Sequence, residues 1–344
     1  MTLPVQSLFA EALRTIGNPA PAHISALVPE ASTRRYYRLT LADPSTSLPQ
    51  RETEDGHRAG FSTLVGVHED AATARTNMPL VTGIQGMLKK NGVAVPEILY
   101  ADSEAGIMLQ QDLGDMSLNQ ALRENSDQAD ALYRQAIRHM IRWQRIPDDG
   151  QCPAFRLSFD VPKLMFEFDF FITHTLQGYY GVGSLDGLRD DFTEIAETLA
   201  APQNKVFTHR DYHSRNIMIY QGEQHIIDFQ DARLGLFQYD LCSLLYDAYA
   251  PIEKTLRGSL IDFAFAEGQS IHGQTRAEFD RYLRLSAFQR LVKAMGTFGR
   301  QAALGRKDFE AYLEPAWQML AEITEGDVKL RGITFRMESA IEKG

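Results

Sequence analysis

The sequence predicts an α+β fold in two lobes, a small antiparallel-sheet lobe over residues 1–112 and a larger, mainly helical lobe over residues 113–344. Three observations carry this. Runs rich in aromatic and β-branched residues, at strand spacing, are confined to the first third of the chain and to one later insert. From Leu118 onward apolar residues recur with the period of an amphipathic helix. Between the two regimes lies a polar crossover, Gln110-Gln111-Asp112-Leu113-Gly114-Asp115.

The elements follow in order. Residues 8–16 read as a short amphipathic helix that stops at Asn18-Pro19-Ala20-Pro21, because proline cannot continue a helix. In Ser32-Thr33-Arg34-Arg35-Tyr36-Tyr37-Arg38-Leu39-Thr40-Leu41, aromatic and β-branched residues alternate with arginine, which suits a half-buried hairpin strand entered through a tight Ser/Thr turn. Residues 42–60 carry Pro44, Pro49, Glu54, Asp55 and Gly56 with no apolar face, and predict a mobile loop. The sheet resumes at 64–67. A helix is expected over 79–90, ending at Asn91-Gly92, followed by strands at 98–100 and 106–109. Helices are then expected at 117–146, 161–180, 184–200, 240–248, 255–270, 276–303 and 308–324. Only residues 206–231 break that run, with two short apolar strands around polar turns.

Composition bounds the function. A hydrophobic content of 44% in 344 residues supports ordinary buried cores. The formal net charge of -10 argues against nucleic acid as a partner, since phosphate backbones call for clustered Lys and Arg. Two cysteines, Cys152 and Cys242, are too few for a disulfide framework or a zinc cluster. No apolar run is long enough to span a bilayer, and the N-terminus lacks a basic flank followed by an apolar block. These features predict a soluble cytoplasmic protein acting on a small molecule, and the lack of a heptad or exposed apolar stripe predicts a monomer.

The insert carries the chemistry. It reads His209-Arg210-Asp211-Tyr212-His213-Ser214-Arg215-Asn216 and, after an apolar strand and a tight Gln221-Gly222 turn, Ile226-Ile227-Asp228-Phe229-Gln230-Asp231. This matches the kinase pattern H-R-D-x-x-x-x-N followed by a strand that ends in a metal-binding aspartate. Transfer of a γ-phosphoryl group from ATP needs a carboxylate to accept the proton of the attacking hydroxyl, a role for Asp211. It also needs hard oxygen ligands for Mg2+, which Asn216 and Asp228 supply. His209 reads as a backbone tie within the loop. Asp240 sits where an N-cap would open the helix at 241–249. Asp231 either faces the acceptor or is a solvated turn carboxylate.

Through these residues the chain resembles the aminoglycoside phosphotransferase and choline kinase superfamily, which shares the bilobal protein-kinase-like fold. Residues 31–38, His209-Arg210-Asp211-Tyr212, Asp228-Phe229-Gln230-Asp231-Ala232 and Tyr239-Asp240 look most like the anomeric N-acetylmuramate/N-acetylglucosamine kinases of peptidoglycan recycling. The resemblance implies ATP-dependent phosphorylation of an amino sugar at its C1 hydroxyl. Another small alcohol, such as an aminoglycoside, choline or a thio-sugar, is the alternative acceptor, and a silent kinase-fold binding protein is the alternative class.

The chain departs from the wider pattern in one respect: it has no lysine before Lys89, and no acidic residue between Asp70 and Glu97, so the strand-lysine to helix-glutamate pair cannot form in its usual place. An arginine is expected to replace the lysine, from Arg34, Arg35, Arg38 and Arg75, with Arg38 favoured. Ser32 and Thr33 are expected to cradle phosphate in place of a glycine-rich loop, and backbone groups near Gln111 and Leu113 to meet the adenine edge, which leaves ATP versus GTP open. For the acceptor, Glu167, Gln289 and Arg290 are the polar candidates, with Phe166, Phe168, Phe170 and Phe171 mostly core.

Overall fold

The computed structural model describes residues 4–27, 34–42, 51–52, 58–59 and 61–343. Ser32, Thr33 and most of the 42–60 segment lie outside the described residues. The chain forms two compact units, Met1–Met116 with Gln151–Pro153 and Met218–Gln230, and Ser117–Gly150 with Ala154–Ile217 and Asp231–Gly344.

The first unit opens with α1 (Val5–Thr15), β1 (His23–Ala26), β2 (Arg35–Thr40), the two-residue strands β3 (Arg51–Glu52) and β4 (Arg58–Ala59), β5 (Thr63–His68), α2 (Ala71–Lys90), β6 (Ile98–Asp102) and β7 (Ile107–Gln111). Five strands form one sheet in the order β1-β2-β5-β7-β6, with every pairing antiparallel. The hairpin partner of β2 is β1, with Ile24 opposite Leu39. Periodicity gives β1 no signal, because His-Ile-Ser-Ala has one large apolar residue and stays half-exposed. Phe9 and Leu13 of α1 pack with Leu39, Leu64, Ile107 and Leu109 into a closed core. Gly66 on β5 makes room for this: a Cβ there would lie 2.6 Å from the Phe9 ring.

Helix α2 starts well before the expected Pro79. Asp70 caps it by accepting the Thr73 N–H at 3.0 Å. Pro79 sits inside the helix, and the buried face of Ala74, Met78, Val81, Gln85 and Leu88 offsets the hydrogen bond that proline cannot make.

The rest of the chain comprises α3 (Leu118–Glu124), α4 (Ala129–Gln144), α5 (Val161–Phe171), α6 (Leu188–Ala200), β8 (Val206–Thr208), β9 (Ile217–Tyr220), β10 (Glu223–Ile226), β11 (Arg233–Gly235), α7 (Phe237–Leu245), α8 (Lys254–Glu267), α9 (Gln269–His272), α10 (Arg276–Ala303), α11 (Lys307–Glu310), α12 (Leu313–Thr324) and α13 (Val328–Ile341). The single helix expected over 117–146 is broken between α3 and α4 by a short 3-10 turn at Ser126–Gln128. The expected 161–180 helix changes to a π-helical segment at Ile172–Gln177. The terminal helix α13 goes beyond the sequence-based expectation.

The β9–β10 hairpin, which sequence reasoning assigned to the helical lobe, belongs to the first unit. Ile219 N–H donates to the Met116 carbonyl at 2.7 Å and Ile226 N–H to the Ala94 carbonyl at 3.0 Å. Its Gln221-Gly222 turn has positive φ at both residues (51° and 81°), the requirement of a two-residue hairpin turn.

In the second unit the long α10, started by a Thr275/Glu278 capping box, packs against α5, α7, α12 and the π-helical segment. The approach to that segment is close: a Cβ at Gly299 would lie 2.3 Å from Thr175 Oγ1, and Thr175 Oγ1 donates to the Met295 carbonyl at 2.7 Å.

Candidate active site

The 209–216 loop leaves β8, which pairs antiparallel with β11 (Thr208 opposite Arg233). Arg210 adopts φ 81°, a strained conformation for a side-chain-bearing residue. Asp240 holds it there. Its carboxylate accepts the N–H of His209 at 2.7 Å and of Arg210 at 3.0 Å, with Trp143 Nε1 at 3.3 Å. Asp240 is therefore not the expected N-cap: α7 begins at Phe237, and the buried carboxylate is a clamp on the loop. His209 is fully buried, and its Nδ1 accepts the Asp211 N–H at 3.3 Å. Further along, Asp247 accepts Ser214 N–H at 2.9 Å and Ser214 Oγ at 2.5 Å. Tyr212, fully buried, donates its hydroxyl to the Ala136 carbonyl at 3.0 Å and meets Trp143 edge-on at 4.6 Å.

These ties place the Asp211 side chain among cations. Lys293 Nζ bonds its Oδ1, Arg290 approaches the same oxygen at 3.4 Å, and Arg210 Nη1 lies 3.7 Å from Oδ2. Burial alone would raise the Asp211 carboxyl, but the charges of Lys293, Arg210 and Arg290 outweigh it and hold the group well below the usual range. The Lys293 ammonium is pushed down to about 8, mainly by burial and then by Arg290, with Asp211 opposing. His213 is driven down to about 3 by burial, so it is neutral and adds no charge. Asn216 Nδ2 donates to the Asp211 carbonyl at 2.9 Å, which fixes the amide plane and turns its oxygen the other way.

The acceptor candidates lie in the same unit but are more buried than expected. Glu167 accepts Gln289 Nε2 at 2.8 Å, Arg210 Nη2 at 3.2 Å and Lys163 Nζ at 3.4 Å. Burial favours its neutral form, yet Arg210, Lys293 and Lys163 prevail and lower its pKa. Gln289 is fully buried and Arg290 nearly so, its Nη1 bonding the Tyr239 hydroxyl at 3.2 Å. Glu167, Gln289 and Arg290 thus brace the loop through these bonds, with Arg290 reaching Asp211 itself. Asp231 is half-exposed and pairs with Arg210 Nη1 at 2.9 Å. Phe168 and Phe171 are core, whereas Phe166 is 60% exposed.

In the first unit, Asp228 follows β10 with φ 66° and accepts Gln230 Nε2 at 2.7 Å. Burial and then the Asp228 charge push the Tyr36 hydroxyl up to about 12. Beside Tyr36, Arg34 forms a buried ion pair with Glu69, whose other oxygen accepts Asn77 Nδ2 at 3.4 Å. The cross-strand register explains it: Arg35 lies opposite His68, so Arg34 and Glu69 meet just beyond the strand ends. A buried basic–acidic pair therefore does exist, built by Arg34 and Glu69 and not by a helix glutamate. Arg38, the favoured replacement, is committed to Asp112 (2.6 Å) and Asp115 (2.8 Å). Arg35 is exposed and Arg75 pairs with Glu104 on the surface. The Gln111 N–H donates to the Glu97 carbonyl at 2.8 Å. Leu113 is buried.

Sequence reasoning missed Lys293, Glu69 and Asp247. A signal existed for the first: Lys293 stands four residues after Gln289, on the same helical face. The loop can receive a hydroxyl proton at Asp211, and Asn216 in the second unit and Asp228 in the first are each oxygen donors of the kind Mg2+ prefers.

Comparison with known proteins follows the same line. The phosphotransferase enzyme family (APH) matches residues 32–282. An N-acetylmuramate/N-acetylglucosamine kinase of Pseudomonas putida is 30% identical over 291 residues, covering 83% of this chain and 78% of that protein. One of Neisseria meningitidis serogroup B is 28% identical over 334 residues, 89% of this chain and 92% of that one. Among solved structures, a choline/ethanolamine kinase family protein from Mesorhizobium loti superposes with a TM-score of 0.59 at 16% identity, over 99% of this chain and 98% of that one. The gentamicin complex of APH(2")-IIa gives 0.59 at 13% identity, over 96% and 99%. Likeness at that level shows the fold, the α+β arrangement of antiparallel sheet and many helices expected from the sequence.

Proposed function

The chain belongs to the phosphotransferase enzyme family (APH) and is a small-molecule kinase, and from that premise we propose that it transfers the γ-phosphoryl group of ATP to the C1 hydroxyl of N-acetylmuramate or N-acetylglucosamine. The choice of acceptor is supported by the relatives that carry that name. The chemistry is supported by one observation above the rest: Asp211 is an ionised carboxylate on a loop whose backbone is fixed by Asp240, Asp247 and Asn216.

In this reading Asp211 orients the sugar hydroxyl and takes its proton as the bond to phosphorus forms. A carboxylate held so far toward its ionised form is a weak base, so the transfer is late and positioning matters more than basicity. The anomeric hydroxyl suits such a base, since the ring oxygen withdraws charge from it and makes it more acidic than the other sugar hydroxyls. Asn216 and Asp228 would hold Mg2+, which supplies charge neutralisation to the phosphates when bound. Arg34, oriented by Glu69, takes the place of the missing strand lysine toward the phosphates.

The test is an ADP-release assay with ATP and magnesium against N-acetylmuramate, N-acetylglucosamine, kanamycin and choline. Turnover on either amino sugar, absent from the other two, is expected. Turnover on kanamycin or choline alone would discard the acceptor while keeping the kinase, and silence with all four would favour a binding protein.

A further inference from the structure

The acceptor side of the catalytic loop carries more positive than negative charge. Lys163, Arg210, Arg290 and Lys293 face three carboxylates, the buried Glu167, the largely enclosed Asp211 and the half-exposed Asp231. The chain as a whole carries a formal charge of -10, so this local excess of cations runs against its average. A polycationic acceptor would be repelled there, and an anionic one attracted.

The cations differ in what they are free to do. Arg210 is braced by Glu167 and Asp231, and Arg290 by the Tyr239 hydroxyl, so both forks have fixed orientations. Lys293 is a point charge on a flexible stem, and it bonds Oδ1 of Asp211, the group that must receive the acceptor hydroxyl. A hydroxyl arriving at Asp211 competes with that ammonium. Displaced from its carboxylate in a poorly solvated site, the ammonium needs another anion.

We propose that Lys293 is the residue that selects an acidic acceptor, releasing Asp211 to the incoming hydroxyl and pairing instead with a carboxylate borne by the sugar. This rests on the amino-sugar kinase reading above and goes beyond it by assigning the acceptor's charge to one side chain. N-acetylmuramate and N-acetylglucosamine make a matched pair for it, since they share the ring and the anomeric hydroxyl and differ by an acidic ether substituent.

The experiment measures kcat/KM for both sugars with wild type, Lys293→Gln and Lys293→Arg. Because Lys293 also touches Asp211, a loss common to both sugars is expected and cancels in their ratio. The acidic-to-neutral ratio should fall at least about tenfold in Lys293→Gln, worth ~1.4 kcal/mol, through KM of the acidic sugar, and should be largely restored in Lys293→Arg. An unchanged ratio with both rates lowered equally would overturn the assignment and place Lys293 on the phosphoryl group. If wild type turns over neither sugar, the amino-sugar reading fails. The inference is then read from calorimetric binding of the same two sugars: tighter binding of the acid, lost in Lys293→Gln, supports it, and equal affinities overturn it.

Discussion

As the proposed base, Asp211 combines two demands that pull apart, being charged enough to attract a hydroxyl proton and free enough to let the hydroxyl in. Three cations secure the first and Lys293 obstructs the second. Asp211→Asn should lower turnover by about 10²–10⁴-fold while ATP binding stays near wild type; unaltered ADP release would remove Asp211 from the chemistry. Lys293 also gives a pH signature. Folding lowers its pKa from 10.5 to about 8, so the ammonium is present below that value and lost above it. Preference for an acidic acceptor should therefore decline between pH 7 and 9, with Asp211, Glu167, Arg210 and Arg290 as the charges facing it. On stability the sign is opposite: between the two pKa values the unfolded chain binds the proton more, so this group's penalty on folding eases as pH rises. Arg34→Ala should raise KM for ATP about tenfold or more and leave KM for the sugar alone, as initial-rate kinetics with each substrate varied would show. The loop residues were legible in the sequence because Asp211 and Asn216 are spaced by local backbone geometry. Lys293 was not, because it reaches Asp211 across 82 positions, a distance that only packing closes.

The elements show the same division between local and distant information. Helix α10 matches the span read from periodicity, 276–303, because Thr275 and Glu278 cap its start and a long buried face follows. β1, the start of α2 and the register of α7 were misread, since each is decided by a tertiary contact: pairing with β2, the Asp70 cap ahead of an internal proline, and the buried Asp240 clamp. The pairing of α10 with the π-helical segment depends on small residues. Gly299→Ala would set a Cβ 2.3 Å from Thr175 Oγ1 and 2.8 Å from Thr175 Cα, so it should destabilise by about 1–3 kcal/mol in a thermal or denaturant melt. Gly332→Ala in α13, where nothing lies within 4 Å, should instead stabilise by about 0.5–1 kcal/mol. Equal effects from both would mean that α10 and the π-helical segment are not tightly packed.

For the whole molecule, the fold class was legible because the hydrophobic period changes near residue 115 and reverts only in the 206–231 insert, and a change of period marks a change of architecture. Assignment of the β9–β10 hairpin was not, since its hydrogen bonds run to Met116 and Ala94 and no sequence pattern announces them. The chain is acidic overall and locally cationic at Asp211, a contrast that favours small anionic acceptors over polycations. The chemistry proposed for it is the creation of a phosphate ester at an anomeric carbon. The most direct measurement is phosphorus NMR of the product formed from ATP and N-acetylmuramate, with coupling to the sugar protons resolved. A phosphate resonance coupled to the anomeric proton is the expected result, and a resonance coupled to the C6 methylene protons, or inorganic phosphate alone, would contradict it.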